Sequence, residues 1–543
     1  MDKIPGILIL NDNKTYGRAS NNRLLYRCIP NNPLIPQFLI PYKVNVRFSK
    51  VLKNLYILFS KKVLIETIGE IDILENFYEY QLYCRDLKRK HPCFSLCPEI
   101  TIPDQKRENN QSFIFTIDSP GTIDFDDAFS IESISETDIK ITIYIANVPF
   151  ILSKYNLWNI FPLFQERVSS IYLPHKKIPL FPTKLSELCS LTAGQDRMTF
   201  FLSLYIDKKN HQIYRHQFQC EFIHVSKNYT YESADLLVNP NYIQLLDSTR
   251  SILKKNIHKS DELVEAWMIF MGEKCAQEID DGIYLLQRET TRDTTTRDTT
   301  TGETTGDTTT RDTTTRDTTT RDTTTRDTTT GDTTTGDTTT RDTTTGDTTT
   351  RDTTTRDTTT RDTTTRDTTT RDTTTRETDN TTIKELHHKT FTSFHVLEKP
   401  ENPYMHITSP IRRIVDIINM AQFMNHLDKT DPSFSPHIDN VKQNLLKINT
   451  TTKSIKKVQS QCRLYHMFNH EPKNKLYNGI LFDKRETKTP EIYSYSVYLT
   501  EYKFTTTIKG DEYKSGEYKF RLYLFKNAST LKQKIRLQIV DPC

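Results

Sequence analysis

From Arg288 to Thr378 the chain consists almost entirely of Arg-Asp-Thr-Thr-Thr and Gly-Asp-Thr-Thr-Thr units. Such a tract has no apolar face to bury and cannot offset the entropy lost on ordering. The sequence therefore predicts a disordered Thr-rich insertion, taken with its flank as residues 288–382, that serves as a passive linker of variable length. The rest of the 543 residues suffices for about three domains. The tract carries 14 Arg against 19 Asp and Glu, and the remainder carries 59 basic against 50 acidic residues. The net charge of +4 thus conceals a folded part at +9, a balance compatible with an anionic partner and no more specific than that.

Several classes are excluded early. No apolar run approaches the ~20 residues needed to cross a bilayer. Ile7–Leu10 is too short for a secretory h-region and runs into Asn11 and Asp12. Nine scattered cysteines suit free thiols in a reducing setting. Cys84, Cys93 and Cys97 with His91 form the one loose cluster, and no second ligand pair follows it, so unpaired thiols are the better reading than zinc. An intracellular, cytoplasmic monomer is the expectation.

Three regions show different periodicities. Residues 1–100 carry short β-branched runs at Gly6–Leu10, Val44–Phe48 and Asn54–Phe59, as in a small barrel or sandwich. Residues 101–430 mix strands, such as Phe113–Ile117 and Ile139–Ile145, with helices. One helix is expected over Asp261–Ile279 with Ser260 as its N-cap. Residues 431–543 begin as a helical linker and then turn to strand at Tyr477–Phe482, Tyr493–Leu499, Tyr518–Phe525 and Ile535–Val540, enough for a closed barrel of about five strands.

Within Phe115–Ser130 stand Asp118, Asp124, Asp126 and Asp127, interleaved with hydrophobic residues. Asp118 ends a strand and Ser119-Pro120-Gly121 supplies a turn. Alternation then puts Asp124 and Asp126 on one face of an extended segment, with Ile123 and Phe125 on the other. Four carboxylates this close repel one another unless cations neutralise them, and hard oxygen ligands suit Mg²⁺ or Mn²⁺. A solvated acidic turn would rarely be framed by so many apolar residues. A calcium loop would more often use Asn, Gly and a distant bidentate Glu.

Two further places stand out. Ser409 and Pro410 read as the N-cap and first residue of a helix whose apolar stripe runs through Ile414, Ile417, Ile418 and Ala421. Arg412 and Arg413 would then occupy the first turn, where the macrodipole disfavours cations unless a phosphate is bound. Two solvated arginines are the plain alternative. Glu265 sits between Val264 and Ala266 on a mostly apolar helix and needs a partner or a cavity.

The acidic segment resembles the signature of the RNB catalytic domain, found in ribonuclease II, ribonuclease R and the catalytic exosome subunit. Further resemblances follow in order along the chain. They are Tyr144–Val148, Ser169–Pro174, Ile178–Leu191 with Asp196 and Arg197, Tyr229–Glu232, Leu263–Met268 and Tyr404–Asp416. The resemblance covers about 100–425. It implies an α+β chain in which an RNB catalytic domain is flanked by β-barrel, OB-fold-like domains. It further implies a 3′→5′ exoribonuclease that hydrolyses single-stranded RNA to 5′-nucleoside monophosphates by two-metal catalysis, with no membrane partner. All four aspartates would hold Mg²⁺ or Mn²⁺, and Arg412 would neutralise the scissile phosphate. Tyr231, Glu265, Arg412, Arg413 and Arg197 would contact RNA. Tyr144, Asn147 and Ile414 depart from the family's usual residues. The interval between Glu265 and Arg412 is short once the tract is removed, which puts the wall between their helices in question. A catalytically silent RNA-binding or scaffold protein is the rival reading, and a calcium-binding β-rich protein is a weaker third.

Overall fold

The computed structural model describes residues 3–11, 17–19, 23–43, 53–87, 112–285, 394–395, 399–427, 435–527, 531 and 533–540. The chain divides into one unit of Met1–Gln287 with Thr390–Cys543 and another of Arg288–Lys389. The second unit, the expected strand at Val44–Phe48, and Cys93, Cys97 and His91 lie outside the described residues. Cys28, Cys84, Cys189, Cys220, Cys275 and Cys462 are free thiols. No helix among the described residues is long and apolar enough to cross a membrane.

The N-terminal sheet comprises β1 (Ile4–Ile9), β2 (Leu24–Pro30), β3 (Phe38–Tyr42), β4 (Leu55–Ser60) and β5 (Val63–Glu70) in the order β3-β2-β1-β4-β5. β3 and β5 approach one another, and the Leu74–Tyr83 helix follows. Two of these strands coincide with apolar runs in the sequence. β2, β3 and β5 do not, because Arg27, Pro41 and Glu66 interrupt them.

The central sheet contains β6 (Phe115–Asp118), β7 (Asp127–Ser133), β8 (Asp138–Ala146), β11 (Asp196–Asp207), β12 (Ile213–His224) and β13 (Lys227–Thr230), in the order β12-β11-β8-β7-β6-β13. Only β13 joins in parallel, pairing Thr230 with Asp118. A hairpin of β9 (Ile171–Leu173) and β10 (Lys176–Ile178) stands apart from it. Ile139, Ile141, Ile143 and Ile145 of β8 are buried on one face with Phe200, Leu202 and Leu204 of β11. Tyr144 and Ala146 are buried with Phe201 on the other. A sheet covered on both faces needs apolar residues at both alternating positions, and β8 supplies them.

The Ser260–Glu278 helix matches the expected length, but Ser260 is its first residue and not its cap. Glu262 accepts from the main-chain N–H groups of His258 and Lys259, at 2.9 and 3.2 Å, and caps the helix from inside. The Ile414–Leu427 helix starts five residues later than Ser409 suggested. Every residue from Ile414 to Phe423 is buried, so the apolar surface runs around the helix and is not confined to a stripe.

The chain leaves the described region at β14 (Tyr284–Leu285) and returns at β15 (Phe394–His395), and these two strands pair antiparallel. Asn419 then bonds both the N–H and C=O of Ile283, at 2.9 and 3.0 Å. The ends of the insertion are thus fastened together. Closure entropy grows only as the logarithm of loop length, about 0.6 kcal/mol per doubling, so a long excursion costs the fold little.

The C-terminal sheet has β16 (Tyr477–Glu486), β17 (Tyr493–Leu499), β18 (Phe504–Gly510), β19 (Gly516–Lys526) and β20 (Gln533–Ile539), in the order β18-β17-β16-β19-β20. β18 approaches β20, so the sheet curls into a nearly closed five-stranded barrel. The 26-residue Leu445–His470 helix, about 39 Å long, connects all three regions. Asn449 bonds Phe394, Gln459 accepts from the Tyr172 N–H, Gln461 accepts from Arg85, His466 meets Tyr78, and Ser460 meets Thr506.

Phe423 packs its ring against Phe200 and Phe218 between the central sheet and its helices. Phe423→Ala should cost about 3–5 kcal/mol in denaturant unfolding. Leu446→Ala, on the exposed side of the long helix, should stay within about 0.5 kcal/mol.

Candidate metal and phosphate site

β6 delivers Asp118 to the edge of a Ser119–Thr122 turn, closed by the Thr122 N–H on the Ser119 carbonyl at 3.1 Å. Gly121 occupies φ +81°, the left-handed position that follows proline in a type II turn. The next residues are extended but unpaired, and β7 begins only at Asp127. Ile123 is exposed, so the alternation expected there fails: Phe125 is packed inward while Ile123 is not. What fixes this stretch is Ser190. Its hydroxyl accepts from the Phe125 N–H at 2.9 Å and donates to the Ile123 carbonyl at 3.0 Å. The Asp126 carbonyl in turn accepts from Ala146.

The four carboxylates then have different partners. Asp126, 2% exposed, accepts from the Ile411 N–H at 2.9 Å. Its Oδ2 also lies 2.9 Å from Arg412 Nε, a charge contact along which the N–H is not directed. Asp124 is ion-paired to Lys177. The Oδ2 atoms of Asp118 and of Asp127, the latter 5% exposed, are buried without a hydrogen-bond partner. Burial pushes Asp118 up to about 6 and Asp126 up to about 7. Asp127 rises well above the carboxylate range through burial and the charge of Asp118.

Among the described residues, no three carboxylate, imidazole or thiol side chains converge tightly enough to enclose an ion by themselves. The donor set nevertheless fits Mg²⁺ or Mn²⁺, which are commonly held by one or two carboxylates with waters and substrate phosphate completing the shell. Two neighbouring, orphaned carboxylate oxygens are such a pair.

Arg412 and Arg413 lie in a turn ahead of the helix, not in its first turn, so the macrodipole argument does not apply to them. Asp416 ties this turn to the helix by accepting from the Ser409 N–H at 2.8 Å. Arg413 is committed to Asp416 at 2.8 Å and to His406 Nδ1 at 3.0 Å. Arg412 keeps 43% of its side chain exposed. Burial would lower its guanidinium, but Asp126, Tyr172, Asp127 and Asp124 outweigh that and hold it charged.

Tyr231 lies beside the site, its N–H on the Asp118 carbonyl at 2.8 Å. Burial, with Asp127 and Asp118 nearby, keeps its phenol protonated. Glu265 is partly buried on the Ser260–Glu278 helix, where its charge reaches Tyr404. Arg197, expected to touch RNA, is placed otherwise. It is 9% exposed, and its guanidinium donates to the carbonyls of Ser190, Asp196 and Glu187. It therefore braces the serine that holds the acidic stretch.

The departures from the family pattern have local uses. Asn147 caps the Val148–Lys154 helix by accepting from the Phe150 N–H, a task Asn and Asp perform equally well. Tyr144 bonds the buried Ser130 hydroxyl, and Ile414 is core.

Sequence reasoning missed Lys177 and Tyr172. They are cross-strand partners in the β9–β10 hairpin, with the ammonium 5.3 Å from the ring centre. They are five residues apart, so simple alternation separates them, and only a hairpin turning at Pro174-His175 makes them neighbours.

Residues 106–245 match the family model described as the RNB domain. The chain is 28% identical over 165 residues to ribonuclease R of Mycoplasmopsis pulmonis, covering 29% of this chain and 22% of that protein. The alignment thus spans about a fifth of that relative's length. The fold is similar to Mycoplasma genitalium RNase R in complex with double-stranded RNA, with a TM-score of 0.57, 14% identity and coverage of 99% and 96% of the two chains. It is also similar to yeast Ssd1, a pseudonuclease, with a TM-score of 0.53, 12% identity and coverage of 96% and 66%.

Because burial raises these carboxylates, the folded chain binds more protons than the unfolded one between the ordinary value of 3.8 and about 7. Stability of the metal-free protein should therefore fall as pH rises through that window. Thermal unfolding in EDTA should show a lower Tm at pH 8 than at pH 5.5, and saturating Mg²⁺ should narrow the gap. Arg197→Ala should lower Tm by leaving buried carbonyls unpaired, about 1–3 kcal/mol. With the acidic stretch, Arg412 and the family match in one place, residues 106–245 match the RNB domain and the chain's fold is similar to that of ribonuclease R.

Proposed function

We propose that the chain is a metal-dependent 3′→5′ exoribonuclease acting on single-stranded RNA and releasing 5′-nucleoside monophosphates. The observation that carries this reading is the pair of buried, unpartnered oxygens of Asp118 and Asp127 facing a half-exposed Arg412. Asp118 and Asp127 would hold Mg²⁺ or Mn²⁺. The ion supplies an activated water and neutralises phosphoryl charge.

The chain's own residues do the rest. Asp126 engages Arg412 through Nε, which leaves the two amino groups of the guanidinium for a bidentate phosphate contact. The fork is thereby aimed before substrate arrives, so no reorganisation is needed as charge develops on the phosphate. Tyr231 and the exposed ring of Tyr172 flank the same opening and offer stacking surfaces for the terminal bases, each worth about 1–3 kcal/mol. Arg413, held by Asp416 and His406, positions the Arg412 turn. A basic folded part draws RNA in, an attraction that salt weakens. A monomer acting in the cytoplasm, away from membranes, completes the proposal.

A second reading, a silent RNA-binding protein of the same fold, draws on one observation. A lysine is bonded to Asp124, where an active site would instead present a free carboxylate.

Purified protein with Mg²⁺ and 3′-labelled single-stranded RNA should release labelled mononucleotide at once, whereas 5′-labelled RNA should shorten stepwise. Asp126→Asn should abolish release. Arg412→Ala should lower kcat by about 10²–10³ while the protein still folds. RNA binding without cleavage, unchanged by Asp126→Asn, would overturn the enzyme reading in favour of the silent one.

A further inference from the structure

We propose that Lys177 is a built-in cation that stands in for a second metal ion, so that the site takes a single divalent ion, at Asp118 and Asp127. The inference rests on the metal-dependent reading above and sharpens it.

The argument begins with charge. The acidic stretch carries four carboxylates, and they differ in what answers them. Arg412 answers Asp126, and Lys177 answers Asp124. Two negative charges are left, on the two carboxylates whose Oδ2 atoms are buried without a partner. One divalent cation neutralises them. A second would have to displace the Lys177 ammonium from Asp124 or leave the site with excess positive charge in a poorly hydrated setting, which is costly.

Lys177 is also built to stay where it is. It lies on β10 directly across from Tyr172 of β9, and its ammonium sits 5.3 Å over the Tyr172 ring. A cation over an aromatic face gains about 0.5–2 kcal/mol. The hairpin is itself pinned. The Tyr172 N–H is bonded to Gln459 at 3.1 Å, Lys176 to Glu79 at 2.9 Å, and the Ser170 N–H just before β9 to the Arg412 carbonyl at 2.9 Å. Arg412 and Lys177 therefore reach the acidic stretch from segments fastened to each other. The two ion pairs form one frame around the open pair of carboxylates. Asp124 becomes a residue that fixes Lys177, and the two-metal scheme suggested by the resemblance reduces to one ion plus one lysine.

Counting Mn²⁺ bound to the full chain by electron paramagnetic resonance, with no RNA present, tests this without reference to activity. Wild type should bind one Mn²⁺ per chain, and Lys177→Ala should bind two. Lys177→Arg, which keeps the charge, should return to one. Asp124→Asn added to Lys177→Ala should also return to one and thereby assign the second ion to Asp124. Two ions on wild type, or one on both wild type and Lys177→Ala with each folded by circular dichroism, would overturn the role of Lys177 and leave the metal-dependent reading intact. No ion on wild type would overturn both.

Discussion

The site depends on the carboxylate of Asp126. It is buried in the middle of the acidic stretch, and it takes the Ile411 N–H on one oxygen and the Arg412 guanidinium on the other. Ile411 lies 285 residues further along the chain, with Arg412 next to it. A buried charge with no partner would cost several kcal/mol, so folding cannot complete around Asp126 unless the late segment docks on it. Docking of that segment in turn delivers Arg412 to the acidic stretch. One energetic requirement thus assembles the acidic and basic halves of the site, whatever lies between them in sequence.

The insertion can therefore be long without spoiling the site. The chain reaches it and returns from it through paired strands, β14 and β15. Asn419 and Asp126 each hold a late segment to an early one by hydrogen bonds whose loss would leave buried polar groups unpaired. The doubt raised by a short interval between Glu265 and Arg412 is met in this way: the helices that carry or follow these residues are held by side-chain clamps and do not depend on a filled connection. The Leu445–His470 helix plays the matching part at larger scale, touching the β9–β10 hairpin, the N-terminal helix and the C-terminal barrel along one length.

Much of this was legible in the sequence where local rules and burial agree. β8 alternates isoleucines with other residues, and the Ser260–Glu278 helix is a long run with acidic residues in its first turn, so each has one answer. The position of Asp118 at a strand end follows from the Ser-Pro-Gly turn. Barrel strands were harder. β18 reads Phe-Thr-Thr-Thr-Ile-Lys-Gly, and only its alternation shows that Phe504, Thr506 and Ile508 turn inward. Capping was misread twice for one reason. Ser260 and Ser409 are good caps by type, but Glu262 and Asp416 are carboxylates a few residues on, and each takes the main-chain donors instead. The fate of an arginine was least legible. Arg197, Arg412 and Arg413 look alike in sequence, yet Arg197 braces a serine loop, Arg413 pairs with Asp416 and His406, and Arg412 faces the acidic stretch beside Asp126, because tertiary partners decide where each guanidinium goes. Lys177 illustrates the same limit, since its partner Asp124 lies on the far side of a hairpin.

Anomalous diffraction from crystals of the full chain grown with Mn²⁺ addresses the central claim most directly. The expected result is one manganese peak at Asp118 and Asp127, with Lys177 still on Asp124 and Arg412 on Asp126. Two peaks with Lys177 displaced from Asp124, or no peak among the four aspartates, would contradict the account.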